Sequence, residues 1–406
     1  MTVTDVRVAE TYLPRRDDPA GPEVRRTMSN TRRSDVFAVV GAAASSIALS
    51  SVIFTQLAPF DAILGFVVVS YLLFLGIYTL LVSLDESGPT VRDRLAAALI
   101  HSLAFVMLVG LVLVVGYTFW RGRQALVHLN FYYQDMGLAG PLQPLSVGGV
   151  KHAIVGTLEQ IGIALAITIP LGIIGAVFLS EVPGPFSRFV RIIVEAMTAL
   201  PSIVAGLFIF AMVILGLGVD KSGMAAGLAL SVMMLPIIIR AADVVIRLVP
   251  GTLREAALAL GASQWRTIWH VVLPTARSGI TTAVILGTAR GIGETSPVLL
   301  TAGFAQTLNA NPTSGAQTSL PLYTFQMVRT GEPGLIARAF GAAAVLMVLV
   351  LFLFVLARLI GGRAPGQLSR GQRRRRVRAS RRDAVRFAAR DNARRPDLLD
   401  TDKAGS

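Results

Sequence analysis

An arginine and a glutamate, Arg290 and Glu294, stand four residues apart in a stretch that is otherwise mostly apolar or small, ILGTARGIGETSPVLL. Residues with this spacing lie on one face of a helix, so the two side chains can pair. A guanidinium offers a rigid fork of donors that matches the oxygens of a tetrahedral oxyanion. The pattern predicts an anion site near Gly287, Gly291 and Gly293, which would let helices or a ligand come close. The alternative is a structural ion pair that locks two helices together.

Three further residues could line the path by which an anion reaches or leaves this site. Pro201 and Ser202, in ALPSIVAGLF, would interrupt a helix and free backbone carbonyls, unless the proline is an ordinary kink. Arg240 stands in an apolar run with Asp243 and Arg247, and these are more readily explained as side chains that reach the membrane surface. Because the chain contains no cysteine, a thiolate metal site is excluded. We expect no metal, no catalytic residue and no cofactor.

The elements that position these residues are predicted to be membrane helices. The 406 residues are 53% hydrophobic and only 15% charged, which leaves too little polar surface for a soluble protein of this size. A bilayer core of about 30 Å requires apolar runs of about 20 residues, and about eight such runs are present. We place them at 36–57, 62–84, 97–119, 153–180, 192–217, 223–247, 278–301 and 335–359.

The net charge of +14 is concentrated in the C-terminal tail, which has fifteen Lys or Arg against five Asp from Arg358 onward. This tail lacks any recognisable nucleic-acid-binding fold, so we expect no nucleic-acid partner. We interpret residues 361–406 as a disordered anchor that contacts anionic lipid on the cytoplasmic side. An even number of spans then places both termini in the cytoplasm, with residues 1–35 as an N-terminal tail.

The loop over residues 250–274, PGTLREAALALGASQWRTIWHVVLP, has the most informative pattern. Thr252 and Glu255 have the spacing of a capping box and predict the start of a short helix. Gly261 predicts the end of that helix in a left-handed cap. Ser263 is placed to cap a second short helix, which the last proline of the loop would close. An apolar helix pair with no core of its own is expected to dock on a partner.

The spacing of this loop also resembles a family signature. Glu255-Ala256-Ala257, three residues, Gly261, nine residues and then Val271-Val272-Leu273-Pro274 is similar to the EAA loop of ABC importer permeases, with Val271 in place of the usual isoleucine. Together with ALPSIVAGLF and a GETSP run, in which Ser296 replaces alanine, it resembles PstA-type phosphate permeases over about residues 120–360. The resemblance implies an all-α membrane protein. Its type I ABC importer transmembrane domain, of about six helices, would occupy residues 97–360, after an extra N-terminal hairpin at 36–84.

The same resemblance implies a permease subunit of an ATP-driven importer in the bacterial cytoplasmic membrane, which translocates inorganic phosphate and is not itself an enzyme. Its expected partners are an extracytoplasmic phosphate-binding protein, a homologous second permease and two copies of a cytoplasmic ATPase, which binds the ATP. The residues expected to couple to that ATPase are Glu255, Ala256, Ala257, Gly261, Trp265, Leu273 and Pro274. Movement of the loop would reach the anion site through the single helix between them. A permease for molybdate or sulfate, and a non-transporting membrane scaffold or sensor, stay open as alternatives.

Overall fold

The computed structural model describes residues 33–57, 63–362, 371 and 374–387. Every regular element in these residues is helical. The α-helices are α1 (Arg33–Val52), α2 (Ile63–Asp85), α3 (Gly88–Leu126), α4 (Asn130–Tyr133), α5 (Lys151–Glu181), α6 (Pro185–Thr198), α7 (Ser202–Ile209), α8 (Gly223–Arg247), α9 (Gly251–Ala259), α10 (Gln264–Thr267), α11 (Leu273–Ile292), α12 (Ser296–Thr301), α13 (Leu320–Val328) and α14 (Pro333–Gly361). Short π-helical segments follow α1 (Ile53–Leu57) and α7 (Phe210–Leu215) and join α10 to α11 (Ile268–Val272).

Seven helical segments are long and apolar enough to cross a membrane, and α6 with α7 adds an eighth if that bent pair is one span. The expected spans at 36–57, 62–84, 153–180, 223–247 and 335–359 agree with the observed segments to within a few residues. The third span is longer than the predicted 97–119, since α3 runs over 39 residues, Gly88–Leu126. Its one proline, Pro89, stands in the first turn, where proline is tolerated. No paired glycine interrupts the polar ends, so the helix continues beyond the apolar run.

The first compact unit extends to residue 111 and contains α1, α2 and the beginning of α3. The predicted hairpin of α1 and α2 is present, and Tyr78 is buried in its small core. Arg94 of α3 forms ion pairs of 2.6 Å with both Asp35 and Glu86. These pairs neutralise charge close to the helix ends, where an unpaired charge would be costly to bring near the hydrocarbon core.

The second unit begins at residue 112, and α8 lies at its centre. Over the apolar window of this helix 56% of the residues are buried, the highest share of any candidate span. Gly287 and Gly291 let α11 approach α8 closely: a Cβ at Gly287 would stand 2.5 Å from Cγ1 of Ile238. Gly293 has no atom within 4 Å of the position of a Cβ. Close helix packing is therefore present at Gly287 and Gly291, while the space beside Gly293 is open and the approach of a ligand there stays a prediction.

Two expected spans are not single helices. The segment predicted at 192–217 consists of α6 and α7, which meet at an angle of 107°. The break predicted at Pro201 is present, since α6 ends at Thr198 and Pro201 is the N-cap of α7. The span predicted at 278–301 starts far earlier, at Gln264, and ends at Ile292. A new helix, α12, follows with Pro297 in its first turn, where a missing N–H costs nothing.

The end of the second unit opposite the 250–274 loop, called the far end below, is built from residues 127–150 and 302–319 with α13. Asp135 joins these segments: Met136 donates its N–H to the carbonyl of Gln306 at 2.9 Å, and the Asp135 carboxylate accepts from the N–H of Leu308 at 3.0 Å. Ser319 caps α13 by accepting from the N–H of Leu322. The loops at this end are therefore ordered by specific hydrogen bonds.

Part of the C-terminal tail is helical over residues 374–387, where we expected disorder. Seven of its fourteen residues are arginine, which favours the helix. Residues 1–32 and the rest of the tail beyond 362 lie outside the described residues, apart from residue 371, so the expectation for them stays a prediction.

Candidate functional site

The predicted pair of Arg290 and Glu294 forms. Nε of Arg290, in the last turn of α11, lies 3.3 Å from Oε1 of Glu294. The helix ends between them, and the N–H of Glu294 bonds to the carbonyl of Gly291 at 3.1 Å. The glutamate side chain is 12% exposed and the arginine side chain 58% exposed. The carboxylate is therefore largely covered by protein, whereas more than half of the arginine side chain is exposed.

Arg290 borders a small pocket of about 40 Å³ between the connection of α6 to α7 and the middle of α8. The other lining residues are Met197, Thr198, Leu200, Ala205, Val232, Met233 and Ile237. Because Met233 and Ile237 lie near the middle of α8, the guanidinium lies about halfway through the bundle. A charged arginine facing lipid at that depth costs about 3 kcal/mol or more. Arg290 therefore requires protein or water on its exposed side.

The other predicted site residues lie around this pocket but do not line it. Pro201 and Ser202 begin α7, and their neighbours Leu200 and Ala205 form the wall. Arg240 is exposed and lies one turn beyond Ile237 on α8. The structure thus brings Arg290 and Glu294 together, with Pro201 and Ser202 beside them and Arg240 farther along.

The apolar lining from α6 and α8 was not anticipated. Met197 and Met233 lie in apolar stretches of the sequence, and nothing in these stretches distinguishes residues that line a pocket from residues that face lipid. The one signal in the sequence for this lining was the predicted break at Pro201. A sharp bend in the chain brings the residues next to it against another helix, here α8. The direction of that turn depends on packing and is not readable from the residue itself.

A second cluster of charge joins three helices at the end nearer the 250–274 loop. Asp243 of α8, with 5% of its side chain exposed, accepts from Arg191 of α6 at 2.8 Å and from Arg247 at 2.9 Å. Both arginines also donate to the carbonyl of Leu179 on α5, at 3.2 and 3.0 Å. The membrane-surface interpretation of Asp243 and Arg247 was therefore incomplete, since they hold α5, α6 and α8 together.

The first helix of the 250–274 loop, α9, begins at Gly251 with Pro250 at its N-cap. The predicted capping box is wrong: Thr252 is already inside the helix, and the N-cap residue makes no side-chain hydrogen bond. The C-terminal prediction is confirmed, because Gly261 has a φ of +82°. The bonds from Gly261 N–H to Leu258 carbonyl and from residue 262 to residue 257 form the expected left-handed cap.

The second helix also begins as predicted, since Ser263 accepts a hydrogen bond of 3.3 Å from the N–H of Arg266. Its predicted end is wrong. Pro274 does not close it, because α10 continues through the π-helical segment directly into α11. Pro274 lies in the first turn of α11. A proline inside an α-helix lacks the N–H that would bond to the preceding turn. Here the preceding turn is π-helical, so the helix continues through Pro274.

An apolar surface covers the outer side of the loop. Its exposed residues are Leu253, Leu258, Leu260, Trp265 and Trp269, with exposed fractions from 42% to 90%. The two tryptophan rings contact edge to face, with centroids 6.1 Å apart. Glu255 and Ala256 are exposed beside them, and Ala257 and Leu273 are partly covered. No described residue covers this surface, as expected for a docking site.

The loop is held to the bundle at its base. Arg254 of α9 forms a 3.0 Å ion pair with Glu181, the last residue of α5. It also donates to the carbonyls of Ile246 and Val249 at 2.9 Å. Gln264 of α10 donates to the carbonyl of Glu181 at 3.1 Å. Both helices of the loop, α9 and α10, therefore contact the end of α5. The loop is also joined to the bundle by the chain itself, because α10 continues into α11.

Residues 168–364 match the family model described as binding-protein-dependent transport system inner membrane component. The chain is 36% identical over 271 residues to "Phosphate transport system permease protein PstA 1" of Mycobacterium tuberculosis, an alignment that covers 66% of this chain and 88% of the relative. The chain belongs to the PstA family of phosphate transport system permeases.

Other PstA relatives align similarly. The protein of Mycobacterium leprae is 37% identical over 261 residues, covering 64% of this chain and 85% of the relative. That of Haemophilus influenzae is 35% identical over 219 residues, covering 53% and 77%. The resemblance stated from the sequence is confirmed. The helical membrane fold also agrees with it: a permease domain of the ABC importer class, with an added N-terminal hairpin.

Proposed function

We propose that this PstA-family chain is the phosphate-translocating permease subunit of an ATP-driven importer. The observation that carries the proposal is the exposed guanidinium of Arg290, which Glu294 fixes beside a pocket halfway through the bundle. The named function of the relatives supplies the substrate. Inorganic phosphate is an oxyanion, and the free side of a guanidinium suits two of its oxygens.

Glu294 gives the site its two states. While the path is empty, the carboxylate offsets the charge of Arg290 and limits the cost of burying it. When phosphate arrives, its oxygens replace part of that interaction, and repulsion between phosphate and carboxylate keeps binding weak enough for release. The pocket of about 40 Å³ has room for about one water molecule, so passage of phosphate requires Leu200 or the facing surface to move.

The exposed side of Arg290 supports a second, homologous permease as the facing surface, with the phosphate path between the two subunits. The apolar surface of the 250–274 loop is proposed as the docking site for a cytoplasmic ATPase, one copy on each permease, which binds and hydrolyses the ATP. Glu255, Ala256, Ala257, Gly261, Trp265, Leu273 and Pro274 form or shape this docking site. The loop then lies in the cytoplasm together with both termini, and an extracytoplasmic binding protein delivers phosphate to the far end.

Uptake of labelled phosphate tests the assignment. Arg290→Gln is expected to lower uptake by about tenfold or more, because one charge-assisted contact to the anion contributes about 1.5–3 kcal/mol. Glu294→Gln is expected to slow turnover while phosphate still binds. Arg188→Gln, an exposed arginine of α6 outside the pocket, serves as the control and should be near normal. Normal uptake by the Arg290 variant would contradict the site assignment.

Competition separates phosphate from the remaining alternatives. Arsenate, which has the same shape and charge, should compete with labelled phosphate, and sulfate and molybdate should not. Competition by sulfate or molybdate with equal strength would favour the other oxyanion permease. An absence of any anion uptake by the complete complex would favour the non-transporting scaffold.

A further inference from the structure

A groove of about 700 Å³ lies between the first half of α11 and the last turns of α14, at the end that carries the 250–274 loop. Its rim is polar: Ser278, Thr281 and Thr282 come from α11 and Arg358 from α14. Thr281 and Thr282 donate to carbonyls of their own helix, so each hydroxyl oxygen keeps lone pairs that can accept a hydrogen bond. Arg358 stands in the last turn of α14, so the rim lies near one end of that candidate span.

The floor of the groove is apolar. Ile285 lies two turns, about 10 Å, farther along α11 than Ser278. Val355 lies about one turn before Arg358 on α14, and Leu359 completes the wall. The groove therefore changes from polar and basic at the membrane surface to apolar within the hydrocarbon region. A phospholipid has the same order of chemistry, with a charged headgroup above an acyl chain.

Two arginines at the rim have no counterion among the residues that the structure describes. Arg277 lies against Gly362, since a Cβ at that glycine would stand 2.5 Å from its Nη2. Neither Arg277 nor Arg358 forms an ion pair or a guanidinium hydrogen bond with another of the described residues. Both side chains are exposed. Basic pockets between membrane helices at this depth are suited to anionic lipid headgroups.

We propose that this groove binds one anionic phospholipid, with its phosphate between Arg277 and Arg358 and an acyl chain along Ile285 and Val355. The charge selects this occupant. The helix at 374–387 carries seven arginines and one aspartate, so it is repelled by the rim and adds to the attraction for anionic lipid. Free inorganic phosphate would leave the apolar floor uncovered. The proposal does not depend on which anion the chain transports.

The absence of cysteine from the chain allows a direct test. The full-length Val355→Cys variant carries a fluorophore in the groove, and Leu351→Cys, one turn away and 64% exposed, carries it outside. Both are placed in nanodiscs that contain brominated phosphatidylglycerol or brominated phosphatidylcholine. At Val355, quenching by phosphatidylglycerol should reach its plateau at a lower mole fraction than quenching by phosphatidylcholine. At Leu351 the two lipids should quench alike.

Arginine variants determine whether the headgroup is the cause. Arg277→Gln and Arg358→Gln are each expected to raise, by about fivefold, the mole fraction of brominated phosphatidylglycerol at which quenching at Val355 reaches its plateau. Arg358→Lys should keep most of the preference, which also shows that substitution leaves the fold intact. The proposal is overturned by equal quenching at Val355, or by a preference that survives the double Gln variant. Displacement of phosphatidylglycerol by millimolar inorganic phosphate would also overturn it, since the site would then recognise phosphate alone.

Discussion

Asp135 holds together two parts of the far end that are 173 residues apart in sequence. Its carboxylate accepts from the N–H of Leu308 at 3.0 Å and from that of Gly137 at 3.1 Å. The bond from Leu308 is the main reason that the pKa of Asp135 is lowered, and the Gly137 bond adds to it. The charged form is thus the one that the folded loops stabilise.

Asp135→Asn is expected to loosen residues 302–319 by about 1 kcal/mol at neutral pH. Because the folded pKa is lowered, the contribution of the carboxylate is fully present above the unfolded pKa of about 3.9 and is lost as the pH falls through the lower folded value. Hydrogen exchange of peptides from 302–319 measures the effect, with Asp220→Asn, an exposed aspartate, as the control. Equal exchange in the parent and in Asp135→Asn would contradict it.

The pairing of Arg290 with Glu294 was predictable because residues four apart in sequence stay close in space, and they still meet although α11 ends at Ile292 between them. The pairing of Arg191 with Asp243 was not predictable, since the two residues lie 52 positions apart in sequence. They meet only because α6 packs against α8 in the folded chain. Local chemistry likewise gave the cap at Gly261 correctly. It failed at Pro274, where a π-helical segment removed the clash that normally ends a helix.

Among the helices, the contacts of Asp243, Arg191 and Arg247 that join α5, α6 and α8 determine the position of the pocket wall that contains Leu200. Asp243 is buried between two arginines, and α6 leads directly to Leu200. Asp243→Asn would leave Arg191 and Arg247 without a counterion and is expected to cost about 2 kcal/mol. The thermal unfolding midpoint of the purified complex measures this loss.

A double variant distinguishes a specific junction from general destabilisation. Arg191→Gln combined with Asp243→Asn should cost clearly less than the sum of the single variants, because the residues share one interaction. Strict additivity would mean that the ion pair contributes nothing to holding α6.

Across the whole molecule, the 250–274 loop has more than one connection to the pocket. The sequence suggested a single route through the helix that contains Arg290. The ion pair of Arg254 with Glu181 adds a route through α5, and the Asp243 junction continues it to α6. Both walls of the pocket are therefore connected to the loop.

Arg254→Gln is expected to weaken this coupling. Hydrolysis of ATP by the assembled complex should continue, while the phosphate transported per ATP falls severalfold. Glu181→Gln keeps the bonds of Arg254 to backbone carbonyls, so its effect should be smaller. Arg266→Gln, an exposed arginine of the same loop whose guanidinium makes no ion pair with the described residues, is the control. A proportional fall in transport and hydrolysis would indicate impaired docking and contradict a coupling role.

The exposed guanidinium of Arg290 also has a consequence for biogenesis. A newly inserted copy that has not met the proposed second permease presents this charge to lipid at mid-depth, at a cost of about 3 kcal/mol or more. Such a copy is less stable than the same chain in the finished assembly, and marginal stability exposes membrane proteins to proteases. The residue proposed to meet the anion would thereby also act as a checkpoint that favours degradation of orphan subunits.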